Sequence, residues 1–171
     1  MSSWAMYLKT ISKRLEANYD LFPAERIAGK TMDLVARFNM RNEKFFLLKK
    51  ITLYAYENHE TVLMKRVDWI SAEVVEEFCR YLKAAMSELV DPSEEHMSSI
   101  VTGVLVATEG VVLKARPLIK QFRYSRNFKL LLQGWCDLRL LAVDLAANEV
   151  YSNKAGRSVR EAYRSRQERG Q

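Results

Sequence analysis

Thr31–Asp68 reads TMDLVARFNMRNEKFFLLKKITLYAYENHETVLMKRVD, and the hydrophobic period of this stretch decides the fold. Met32, Leu34, Ala36, Phe38 and Met40 alternate with Asp33, Val35, Arg37, Asn39 and Arg41. A period of two puts the first set on one sheet face and most of the polar set on the other. Arg41-Asn42-Glu43 is a polar break suited to a turn. From Lys44 to Glu57 the pattern changes: Phe45, Phe46, Leu47, Leu48, Ile51, Leu53, Tyr54 and Tyr56 are apolar on both faces, as in a central strand covered twice. Asn58-His59 then reads as a short turn and Thr61–Val67 as a returning strand. Residues 31–67 are therefore expected to form a three-stranded antiparallel meander.

Outward from this block, Trp4, Tyr7, Leu8, Ile11, Leu15 and Tyr19 recur at three- and four-residue steps and predict an amphipathic helix over 4–19. Leu21–Lys30, with Pro23 and Gly29, reads as a connecting loop. Ser71 is a good N-cap for a helix over 71–90, with Glu73, Glu76 and Glu77 near the positive end of its dipole and Asp91-Pro92 after its end. A buried strand is expected near 99–107, where Gly103 signals close backbone packing. A helix is expected near 111–122, with Pro117 in its first turn or kinking it. Strands near 128–132 and 136–145 follow, then Val150-Tyr151-Ser152. Ser158 opens a last helix with few apolar residues. The order predicts an α+β fold: a single mainly antiparallel sheet with helices packed on it, one domain over 1–171 with a basic, Arg-rich tail at 154–171.

The 171 residues suffice for a real core, and 49% hydrophobic with 28% charged residues is a globular composition. No apolar run approaches the ~18 residues that span a bilayer, and the charged N-terminal stretch does not read as a secretory signal. Cys79 and Cys136 read as reduced, partly buried thiols, although a disulfide is open to them; the expected setting is cytoplasmic. The net charge is +6. It concentrates in the second half, where Lys114, Arg116, Lys120, Arg123, Arg126, Lys129 and Arg139 face one acid, Asp137. From Lys154 onward six more cations face Glu161 and Glu168. Cations interleaved with Phe122, Tyr124, Phe128 and Trp135 suit single-stranded nucleic acid, through phosphate contacts and base stacking, or else a solvated helix face beside core aromatics. Lys114, Arg116, Lys120, Arg123, Arg126 and Lys129 are the candidate anion-binding residues.

No Gly-x-Gly-x-x-Gly, Walker loop, HExxH or Cys-x-x-Cys occurs, so no cofactor, metal ligand set or catalytic residue is assigned. His59 and His96 belong to polar loops. Asp33, Glu43 and Asp137 are strand-associated carboxylates of the kind that hold Mg²⁺ in nucleases, and Asp137 and Arg139 share a strand face. The helix–three strands–helix–strand order resembles the core of the restriction-endonuclease-like superfamily, which implies a divalent-metal phosphodiesterase as the alternative function. Its Asp/Glu-x-Lys motif is missing from Ile51–Tyr54, and Asp137-x-Arg139 carries arginine in place of lysine.

Five segments together, Phe38–Lys50, Tyr54–Glu60, Glu95-His96-Met97, Gly134–Arg139 and Val150–Lys154, resemble an uncharacterised family of small proteins from anaerobic Gram-positive bacteria, a domain of unknown function. The resemblance spans nearly the whole chain and implies no activity. It singles out Arg41, Glu43, Lys49, Glu57, Trp135, Asp137 and Arg139 as a candidate cluster, either a ligand site or a buried ion-pair network. The expected function is a non-enzymatic binding domain for an anionic partner, nucleic acid foremost, with no membrane partner. A third reading is a protein-interaction subunit, or a homo-oligomer, formed through the C-terminal helix.

Overall fold

Two long stretches, 58–70 and 98–111, form the axis of the molecule as parallel neighbours. The computed structural model describes residues 3–39, 58–90, 98–127 and 135–165. In chain order the elements are α1 (Ser3–Leu15), β1 (Tyr19–Pro23), β2 (Arg26–Ile27), β3 (Lys30–Thr31), β4 (Leu34–Phe38), β5 (Asn58–Ile70), α2 (Ala72–Leu89), β6 (Ser98–Val111), α3 (Ala115–Gln121), β7 (Ser125–Asn127), β8 (Trp135–Asp144) and β9 (Glu149–Ser152). A 3₁₀ turn at Arg160–Tyr163 closes the described chain. Among the described residues one sheet of seven strands runs β1-β4-β5-β6-β8-β7, with β9 on β8, and β2-β3 is a separate small hairpin.

The sheet is mixed. β5–β6 and β6–β8 are parallel, while β1–β4, β4–β5, β7–β8 and β8–β9 are antiparallel. The parallel centre follows from its connection: β5 reaches β6 through the long helix α2, which carries the chain back to the starting end of the sheet. Both faces of these strands are covered, so their side chains are apolar on both sides. Val62, Met64, Val104, Val106, Leu141 and Val143 face α1 and Tyr163. Leu63, Val101, Leu105, Leu138, Leu140 and Ala142 face α2 and α3.

Local signals set the helix ends. Ser71 caps α2, its Oγ accepting from the Val74 N–H at 3.2 Å. α3 starts only at Ala115, because Val111 still pairs with Ile70 and the Val112 N–H donates to the Ile70 carbonyl. Pro117 fits in the first turn of α3, where its missing N–H disturbs no helical bond. Gly103 lies under α2: a Cβ there would stand 2.5 Å from Leu82 Cδ1 and 2.9 Å from Phe78 Cε1.

Three expectations change. Tyr19–Pro23 is a strand, not a helix end and loop; among the described residues it lies at the sheet edge, where Pro23 forfeits no ladder bond. β4 and β5 pair directly, from Leu34↔Met64 to Arg37↔Thr61, so the first and third meander strands are neighbours. The expected strands over 44–57 and 128–132 lie outside the described residues. The last helix reduces to the 3₁₀ turn, whose single buried side chain is Tyr163.

Candidate anion-binding edge

One edge of β8 pairs with β6; along the other, two short strands follow each other, β7 opposite Trp135–Asp137 and β9 opposite Leu141–Asp144. Between them the ladder is interrupted, and Asn153 fills the interruption. Its Nδ2 donates to the Leu138 carbonyl at 3.0 Å, and its Oδ1 accepts from the Leu140 and Gly156 N–H groups at 3.1 and 3.0 Å. Its own N–H donates to the Leu140 carbonyl at 3.0 Å. With Asn153 0% exposed, these bonds satisfy backbone groups that have no access to water.

Two clefts open along this edge. The first, about 570 Å³, lies at the interruption and is lined by Arg123, Tyr124, Asp137, Asn153, Lys154 and Arg157, among others. The second, about 660 Å³, follows β9 and is lined by Glu149–Ser152 with Lys120, Arg157, Arg160 and Arg164. Arg157 belongs to both. The two basic stretches of the sequence, separated along the chain by residues 140–153, thus meet at one broken sheet edge. Arg164 is engaged by Glu161 at 2.8 Å and by the Asn148 carbonyl at 2.7 Å. The same guanidinium holds the Glu161 carboxyl below the usual carboxylate range. Among the described residues, Lys120, Lys154 and Arg157 enter no ion pair. Tyr151 donates to Glu149 Oε2 at 2.5 Å, and burial pushes its phenol up to about 12. The Arg116 guanidinium stacks 4.9 Å from the Tyr151 ring centroid. The Ser152 hydroxyl, buried in the wall of the second cleft, has no hydrogen-bond partner among the described residues.

The candidate cluster divides. Arg41, Glu43, Lys49 and Glu57 lie outside the described residues, as does Lys129. Trp135 is 45% exposed, and its indole N–H donates at 3.2 Å to Oδ2 of Asp137, a lining residue of the first cleft. Arg139, on the same strand face, turns inward. It is 5% exposed and meets Glu60 Oε1 at 3.4 Å; Thr102 and Tyr19 donate to the two oxygens of that carboxylate at 2.9 and 2.6 Å. Burial first, and then Glu60, raises the Tyr19 phenol well above its ordinary value. These bonds satisfy a carboxylate at the end of the α1 core, an arrangement suited to holding strands together.

Of the candidate anion-binding residues, Lys120 and Arg123 line the clefts and Arg116 stacks beside them. Arg123 also donates to the Lys120 and Phe122 carbonyls at 2.8 Å. Arg126 reaches Ser87 Oγ at 3.3 Å, and Lys114 is exposed ahead of α3. Sequence reasoning missed Glu60, Tyr19 and Asn153 as organising groups. Their partners lie on distant strands; Glu60 and Asn153 fall in the Tyr54–Glu60 and Val150–Lys154 segments and Tyr19 in the expected first-helix stripe, but no local pattern gave their roles.

Asp33 accepts from the Arg66 N–H at 2.8 Å and faces Lys65 at 3.8 Å. Counting strands and residues puts it roughly 20 Å from Asp137, too far to share a metal ion. Among the described residues no three His, Cys, Asp or Glu side chains gather as a metal site requires, and no helix is long and apolar enough to cross a membrane.

No curated protein and no solved structure matches the chain. A family model does, over residues 4–165, nearly the full length and all of the edge just described. The chain belongs to the family defined as Domain of unknown function (DUF8052).

Proposed function

We propose that this protein is a non-enzymatic binding domain for single-stranded nucleic acid, held along the broken edge of β8. The observation that carries the reading is the meeting of Arg123, from one basic stretch, with Lys154 and Arg157, from the other, in a cleft that also holds Tyr124 and Asp137, the latter bonded to the exposed Trp135 indole. Cations gathered in one cleft suit phosphates, and an exposed indole suits an unstacked base. A shallow cleft with one carboxylate does not discriminate bases through many hydrogen bonds, so the reading includes little sequence preference. Two free, buried thiols agree with a reducing, cytoplasmic setting.

Filter binding of single- and double-stranded DNA and RNA between about 50 and 200 mM salt tests it. The expected result is preference for single strands and a logarithmic salt slope of about −2, from three phosphate contacts at about 0.7 each. Arg123→Ala and Lys154→Ala should each flatten the slope by about 0.7, and Trp135→Ala should weaken binding at every salt concentration. Absence of binding at about 50 mM salt overturns the reading.

A further inference from the structure

β9 pairs with β8 on one side, and among the described residues no strand pairs with its other side. The sense of its backbone is fixed by the neighbouring bond from the Asn153 N–H to the Leu140 carbonyl. Hydrogen bonding alternates along an antiparallel ladder, so Glu149 and Tyr151 share that inward sense. Val150 and Ser152 turn their N–H and carbonyl groups outward. Four consecutive residues of β9 line the second cleft, so the cleft follows this free edge, with Lys120 of α3, Arg157 and the 3₁₀-turn cations around it. The unpartnered, buried Ser152 hydroxyl lies in the same wall.

We propose that this edge is a docking strip for an extended acidic segment of a partner protein, added to the sheet as its next strand. Two features select that occupant. An outward carbonyl beside each outward N–H matches the alternating groups of another peptide backbone, whereas the sugar-phosphate backbone of DNA presents acceptors alone and that of RNA adds only its 2′-hydroxyls. The surrounding charge is positive: among the described residues Lys120 and Arg157 enter no ion pair, and Glu161 is shared between Arg160 and Arg164. Edge cations ordinarily discourage strand pairing between like chains; a strand carrying acids turns the same charges into attraction. The nucleic-acid reading uses Arg123, Lys154 and Trp135 at the adjoining cleft and shares Arg157 with this one, whereas Lys120 and the outward backbone groups of Val150 and Ser152 belong to this proposal alone.

The probe is a synthetic eight-residue peptide of alternating glutamate and valine, titrated calorimetrically against the whole chain. The control is the same peptide N-methylated at alternate backbone nitrogens, which keeps its charge and removes its strand donors. The expected result is binding by the first peptide, about tenfold weaker binding by the methylated one, and loss of both advantages in Lys120→Glu and Arg160→Glu, whose side chains lie on the surface. Amide resonances of Val150 and Ser152 should move on binding. Equal affinity for the two peptides, or none for either at about 50 mM salt, overturns the proposal. So does displacement of the peptide by oligothymidylate with equal sensitivity to Lys120→Glu, which would make the edge part of one polyanion site. Peptide binding with no oligonucleotide binding would retain this proposal and reject the nucleic-acid reading.

Discussion

A single amide, that of Asn153, stands where a continuous edge strand would otherwise run. It satisfies the Leu138 carbonyl and the Leu140 and Gly156 N–H groups. Asn153→Ala strands these groups without partners, and the expected loss is about 2–4 kcal/mol, read from the urea midpoint. Asn153→Asp should also destabilise, because a carboxylate accepts from Leu140 and Gly156 but meets the Leu138 carbonyl with no donor. The sequence marks Val150–Ser152 as a strand, yet the task of the next residue is set by the separate endings of β7 and β9, which no local pattern encodes. Asp137 and Arg139 make the same point. Their spacing places them on one strand face, as expected. Their different fates follow from a partner 79 positions away, Glu60, which draws Arg139 inward while Asp137 stays with Trp135.

At the scale of elements, α2 rests on β6 through Gly103. Gly103→Ala would drive a methyl into Leu82 and Phe78, with an expected loss of about 1–3 kcal/mol in chemical denaturation. Combined with Leu82→Ala, which opens space at the same point, the two losses should be less than additive. This contact was legible: a glycine inside a β-branched run signals close approach. The helices were legible too, since α1 and α2 carry strong 3.6-residue stripes and α2 has its Ser71 cap. Tyr19–Pro23 was not, because a proline argues for a loop unless the strand is known to be an edge, and edge position is a property of the assembled sheet. The thin helix expected after Ser158 shrinks to one 3₁₀ turn because only Tyr163 is fully buried there, with Val159 packed against the same core in part.

Across the whole molecule, the α+β class was readable from the order of periods, while strand direction was not, since each parallel pairing depends on what the connecting segment does. The core also sets a pH response. Burial pushes the thiols of Cys79 and Cys136 up to about 11 and about 12, and the Tyr81 phenol up to about 12. Below pH 9 both folded and unfolded chains hold these protons and the contribution to stability is complete. Between pH 9 and about 12 the unfolded chain releases protons that the native chain keeps, so stability falls across that window. The urea midpoint should be lower at pH 10.5 than at pH 7.5. At pH 8 neither thiol should react with a chromogenic disulfide until urea is added. Free thiols that react at once in the native protein would contradict the packing around them.

The exposed indole of Trp135, held to Asp137 at the cleft rim, has a spectroscopic consequence. Trp69, also exposed, sits over Gly110 at the far end of the parallel strands, roughly 36 Å away along their axis. Emission from Trp135 should be quenched by a stacked base while Trp69 and Trp4 do not respond, so the protein carries its own dye and its own references. Comparing Trp69→Phe with Trp135→Phe would then reveal which end of the sheet a ligand has reached.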